Sequence, residues 1–126
     1  MPKTLCVIVR RAPYGTIHAA EAIRLVNGGV TYGLKTEAIF IDDGVYVAKA
    51  DQEAGLWTPL SDALKQTLGL STVLEDGTES GAEICVHKGS MEARGLRDKD
   101  LVKGIMTVGD GELADLLSRA DAVITF

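Results

Sequence analysis

The sequence predicts an α/β fold, a mostly parallel five-stranded sheet with helices on both faces. Two observations carry this. Continuous apolar runs rich in β-branched residues, first seen from Lys3 to Val9, mark strands buried on both sides. Stretches of helical periodicity separate those runs, and a right-handed crossover places such a helix between parallel neighbours. At 126 residues, 46% of them hydrophobic, the chain is the size of a single domain with one packed core, and it carries no internal repeat.

The first strand ends at Arg10-Arg11-Ala12-Pro13-Tyr14-Gly15-Thr16, where Pro13 and Gly15 break the pattern and Thr16 is placed to cap a helix. Ile17, Ala20, Ile23, Val26 and Val30 form the stripe of that helix, with Gly28-Gly29 weakening its last turn. Thr36 to Ile41 is the second strand. It stops at Asp42-Asp43-Gly44, read as a turn in which the Asp side chains bond nearby backbone and glycine takes a positive φ. A poorly periodic helix is expected from Val45 to Ala54. Thr58-Pro59 then supplies a capping hydroxyl and a proline at the first helical position, and Gly69 ends that helix; Trp57 just before it is a packing anchor or an interface residue. Residues 70–80 form a polar loop or a small hairpin. Ala82 to His87 is the third strand, Ser90 to Arg94 a short helix closed by Gly95, and Gly104 to Val108 the fourth strand. A helix capped by Asp110 and a fifth strand from Asp121 to Phe126 complete the chain. An apolar strand at the edge calls for cover by the domain or by another subunit, which favours a homo-oligomer.

Charge excludes some functions. With 13 Lys and Arg against 18 Asp and Glu, the net charge is -5, and no basic run exceeds Arg10-Arg11, so no nucleic-acid footprint is visible. No stretch approaches the ~20 apolar residues of a membrane span, and the short run from Leu5 to Val9 lacks a signal-peptide pattern, so a cytoplasmic protein is expected. Cys6 and Cys85, each inside an apolar run, read as reduced thiols. No Cys/His spacing resembles a metal site, and no phosphate-loop, dinucleotide or nucleophile-elbow motif is present, so no cofactor is expected. Asp42-Asp43 reads as a solvated turn.

The chemistry concentrates between Gly81 and Gly95, where an apolar strand runs into a short basic turn and a helix. Reacting groups in open α/β sheets gather at the carboxyl ends of strands. Cys85 lies there, and so do His87, Lys88, Gly89, Ser90 and Arg94. Cys85 and His87 share one face of the strand but stand roughly 7 Å apart along it. Cys85 reads equally as a small buried hydrophobe between Ile84 and Val86. His87 is a base, a cation for an anion, or a turn histidine bonded to backbone. Tyr14, Gly15 and Thr16 are placed to wall the same cleft, with His18 in the first helical turn beside them. Cys6, mid-strand, reads as core.

Three segments together resemble the DsrE/DsrF-like family of small sulfur-relay proteins: Ala12 to Thr16 after the first strand, Cys85 to Leu96 with its Ala-Arg-Gly-Leu ending, and Ala120 to Phe126. The resemblance implies a three-layer α/β/α sandwich, assembly into dimers, trimers or hexamers, and protein partners that exchange persulfide sulfur on a cysteine. In the family pattern that cysteine stands seven residues before the arginine of the Arg-Gly pair, and counting back from Arg94 gives His87; where some members carry a second cysteine, three residues on, this chain has Ser90. Cys85 is two residues earlier. Two functions follow. Either Cys85 accepts and passes a persulfide, with His87, Lys88 and Arg94 tuning its charge, or imidazole and hydroxyl replace the family's thiol and the chain is a binding or assembly subunit that uses its His87 to Arg94 surface.

Overall fold

The computed structural model describes residues 3–54, 59–74 and 77–126. Five parallel strands make the sheet: β1 (Thr4–Val9), β2 (Lys35–Phe40), β4 (Glu79–His87), β5 (Met106–Val108) and β6 (Ala122–Thr125). β2 pairs with β1 on one side and with β4 on the other, and β6 lies beyond β1. The far edge of β4 is split. Antiparallel β3 (Ser71–Val73) covers Glu79, Ser80 and Gly81, and β5 covers Cys85, Val86 and His87. Of the two expectations for residues 70–80, the hairpin is therefore the one found.

Alternating side chains divide the core into two layers. On one face Val7, Val9, Phe40, Ile84 and Val86 pack with residues of α1 (His18–Thr31) and α2 (Leu60–Leu68), among them Ala22, Val26 and Leu64. On the other, Cys6, Ile39, Cys85 and Val108 meet Leu113, Leu116 and Leu117 of α4 (Asp110–Arg119). This second layer is thin, because α4 has no fully buried residue. The short α3 (Lys88–Ala93) closes the tip of β4. It ends in the paired bonds of a Schellman motif, with Leu96 N–H to Met91 O at 3.0 Å, Gly95 N–H to Glu92 O at 3.1 Å, and Gly95 at φ +72°.

Several local expectations are corrected. No α-helix spans 45–54: a 3-10 turn runs over Asp42–Ala48, and the Gln52 amide then donates to the carbonyl oxygens of Tyr46, Val47 and Lys49 at 3.2, 2.8 and 2.8 Å. One side chain thus takes the acceptors that a helix would have used. In that turn it is Asp42, at φ +50°, that takes the left-handed conformation. Gly44 is required for another reason, since a Cβ there would lie 2.0 Å from Val9 O. α1 continues past Gly28-Gly29 to Thr31, and Gly29 lets the helix press against β2, where an added Cβ would meet Thr36 Oγ1 at 2.6 Å. Thr16 does not cap α1, whose N-cap is Ile17. Pro59 is the N-cap of α2 and not its first helical residue, while Trp57 and Thr58 lie outside the described residues. Asp110 is the first residue of α4, and its carboxylate is used elsewhere.

Candidate functional site

β4 runs straight into α3, and the residue at the junction serves both. His87 keeps extended backbone while its ring turns back to cap the helix, Nδ1 accepting from the Ser90 N–H at 3.3 Å. Ser90 Oγ lies 2.8 Å from the same nitrogen, and His87 Nε2 lies 2.6 Å from Asp110 Oδ1 at the start of α4. The tautomer follows from this network: Nδ1 is the acceptor of the serine's donors, so Nε2 carries the hydrogen and donates to the carboxylate. Ser90 Oγ also accepts the Asp42 N–H at 3.1 Å. The ring side chain is 19% exposed, whereas the Asp110 side chain is 92% exposed. A polar relay thus passes from a buried hydroxyl through imidazole to a carboxylate in water.

Arginines tie this cluster to the turn after β2. Arg94 Nε donates to Asp43 Oδ1 at 3.0 Å and its Nη1 to Ser90 O at 3.2 Å, while Arg10 Nε donates to Asp42 Oδ2 at 3.3 Å. Asp42 and Asp43, expected to be a merely solvated turn, thereby stand between His87 and a cleft of about 660 Å³ lined by Arg10, Arg11, Tyr14, Thr16 and Phe126. The Tyr14 hydroxyl donates to Gln52 Oε1 at 2.6 Å and accepts from Leu60 N–H at 3.1 Å. Gly15 turns the chain at φ +94°. His18 opens α1, half-buried and outside the His87 network. Lys88 reaches Glu92 at 3.9 Å on the surface. Gly89 lies against the imidazole, where an added Cβ would sit 3.2 Å from His87 Cε1.

Cys85 occupies a different environment. It is 4% exposed, and its thiol donates to Ala38 O at 3.6 Å. Burial pushes its pKa up to about 12, with Cys6, Glu37, Glu83 and Glu112 adding to the effect. Burial, and then Glu37, likewise pushes Cys6 up to about 11. A thiolate needs positive potential, and this thiol faces carboxylates. The cations that the sequence places nearby are engaged elsewhere, Lys88 with Glu92 and Arg94 with Asp43. Neither cysteine is in a disulfide. Glu37, in the middle of β2, is 4% exposed; its signal in the sequence is a charged residue inside an otherwise buried strand. Asp110 reads in the sequence as a cap only.

A sequence model of the DsrE/DsrF-like family matches residues 3–126. The chain belongs to the DsrE/DsrF-like family. Among relatives of this DsrE/DsrF-like protein, the intracellular sulfur oxidation protein DsrF of Allochromatium vinosum is 32% identical over 98% of this chain and 96% of its own length. The TusC homolog of Pseudomonas aeruginosa is 29% identical over 99% of both chains. The crystal structure of the ychN protein from E. coli superimposes with a TM-score of 0.81 over the whole of both chains at 22% identity, which shows the shared fold. Among the described residues no helix is long and apolar enough to cross a membrane.

Proposed function

We propose that this chain is a binding or assembly subunit of an intracellular sulfur relay, presenting His87, braced by the buried Ser90, with Asp110 and Arg94 to a protein partner in place of a reactive thiol. The observation that carries the reading is the contrast along β4: the residue at its tip is a partly exposed imidazole in a hydrogen-bonded network, while the thiol two residues earlier is buried with its pKa pushed up to about 12. By the family count His87 and Ser90 stand where sulfur-carrying members have cysteines. The sulfur-oxidation and TusC names of the A. vinosum and P. aeruginosa relatives, and the intracellular setting of the first, support the relay. Assembly has a natural place at β6, whose outer edge pairs with no other strand among the described residues and whose Val123 and Ile124 are exposed.

The carrier function of Cys85 has one observation in its favour, since the thiol lines a pocket of about 200 Å³ beneath α4. Intact mass after incubation with a low-molecular-weight persulfide decides between the two. The subunit reading expects no added sulfur at neutral pH, together with binding to a thiol-bearing DsrE/DsrF-like protein that His87→Ala weakens about tenfold, a loss of ~1.4 kcal/mol. Sulfur loading that disappears in Cys85→Ser would instead establish the carrier.

A further inference from the structure

The pocket beneath α4 carries chemistry that the His87 network does not use. We infer that it is a binding site for an organic cation, a guanidinium or alkylammonium group, held by Glu37 at its floor and by Glu83, Glu112 and Asp115 around it. Its lining sets these four carboxylates against one guanidinium, Arg119. Arg119 Nε is occupied by the backbone oxygen of Asp115 at 3.2 Å. Glu37 Oε2 is buried and has no hydrogen-bond partner among the described residues. Buried polar atoms are nearly always paired, so this oxygen marks a place where a donor fits.

The remaining walls agree with a cation on an alkyl stem. Met106, Val108 and Leu116 supply apolar surface beside the carboxylates, and the methylenes of a lysine or arginine side chain bury along such surface while the charged head pairs. The volume of about 200 Å³ admits a group of this size, at roughly 30 Å³ per water displaced. An anion is disfavoured by the same lining. Among the described residues no group of His, Cys, Asp and Glu is arranged to hold a metal ion. A guanidinium fits best where two carboxylate oxygens can be met at once, because its planar donors match them.

Such a cation has two sources, a free amine or a basic side chain of another protein, and two probes separate them. Agmatine stands for the first and the capped tripeptide acetyl-Gly-Arg-Gly-amide for the second, with the citrulline tripeptide as the neutral isostere. In the full chain labelled at its methionine methyl groups, either cationic probe at millimolar concentration should shift the Met106 resonance and leave that of Met91, buried on the other face, in place. The citrulline peptide should shift neither. Glu37→Gln should weaken binding at least tenfold, and Glu112→Gln and Asp115→Asn, exposed on α4 and so safe for folding, should each weaken it several-fold. Tighter binding of the tripeptide points to a protein side chain, and tighter binding of agmatine to a free amine. Absence of a Met106 shift with both cations, or equal affinity in Glu112→Gln and Asp115→Asn, overturns the site. Cys85 shares this lining, but cation binding is read at Met106 and sulfur loading by intact mass, and neither cation result bears on the His87 network, so this site and the subunit reading fail separately.

Discussion

Cys85 and His87 stand two residues apart on one face of β4, yet the fold treats them oppositely. His87, at the strand's end, is held by donors on α3 and by a carboxylate on α4, with one side of the ring open to water. Cys85 is roofed by α4, sits opposite β2 residues that include a buried glutamate, and is kept protonated by burial. The difference teaches that position along a strand decides reactivity more than residue type does. One pleat inward, the sheet and its covering helix remove the water and positive potential that a sulfur nucleophile requires.

The largest expected effect breaks or keeps that contrast directly. With a pKa about three units above the ordinary 9.0, the Cys85 thiolate is about a thousandfold scarcer at neutral pH than in an unfolded chain. Iodoacetamide at pH 7.5, followed by intact mass, should therefore label the folded protein at least a hundredfold more slowly than the urea-unfolded protein. Equal rates would show that Cys85 is reactive after all.

The next effect concerns the support of the His87 site. Gly44→Ala sets a methyl group against Val9 O, and the turn that presents the Asp42 N–H to Ser90 must move. A loss of about 3 kcal/mol in urea unfolding is expected, at the upper end of overpacking costs. His87→Ala should cost less, about 1–2 kcal/mol, because Ser90 loses its acceptor while Asp110 is already solvated.

The two cysteines also give stability a direction in pH. Their folded pKa values, about 11 and about 12, exceed the ordinary 9.0. The folded state therefore holds protons that the unfolded chain releases, and this contribution, complete below pH 9, is lost as pH rises through 11 and 12. Urea midpoints should fall from pH 8 to pH 10.5, and the fall should be shallower in Cys85→Ala than in the native chain. The smallest effect is expected from Gly89→Ala. Its methyl group would crowd the imidazole at 3.2 Å, which should shift the His87 ring resonances in NMR with less than about 1 kcal/mol change in stability.

Most of the architecture was legible because burial writes period and composition into strands and helices. The five parallel strands, α1, α4, and α3 with its closing Gly95 all follow from such signals. Residues 42–54 were not legible, since a 3-10 turn completed by the Gln52 amide depends on one side chain folding back over its own backbone. In the candidate site, His87, Ser90 and Arg94 stand out in the sequence because they crowd one segment. Asp110 was missed as their partner because the bond spans 23 residues and two elements, and α4 reaches the tip of β4 only through the pairing of β5 with β4. Glu37 was hidden by a strand whose other residues read as ordinary core.

The pair Asp42-Asp43 has a mechanical consequence. One arginine from the end of β1 and one from the end of α3 grip neighbouring carboxylates, and the amide of the first gripped residue, Asp42, is the donor that holds Ser90. Any molecule that draws Arg10 into the large cleft tugs on the same short stretch of chain that steadies the imidazole. A single serine hydroxyl thereby joins the wall of that cleft to the imidazole.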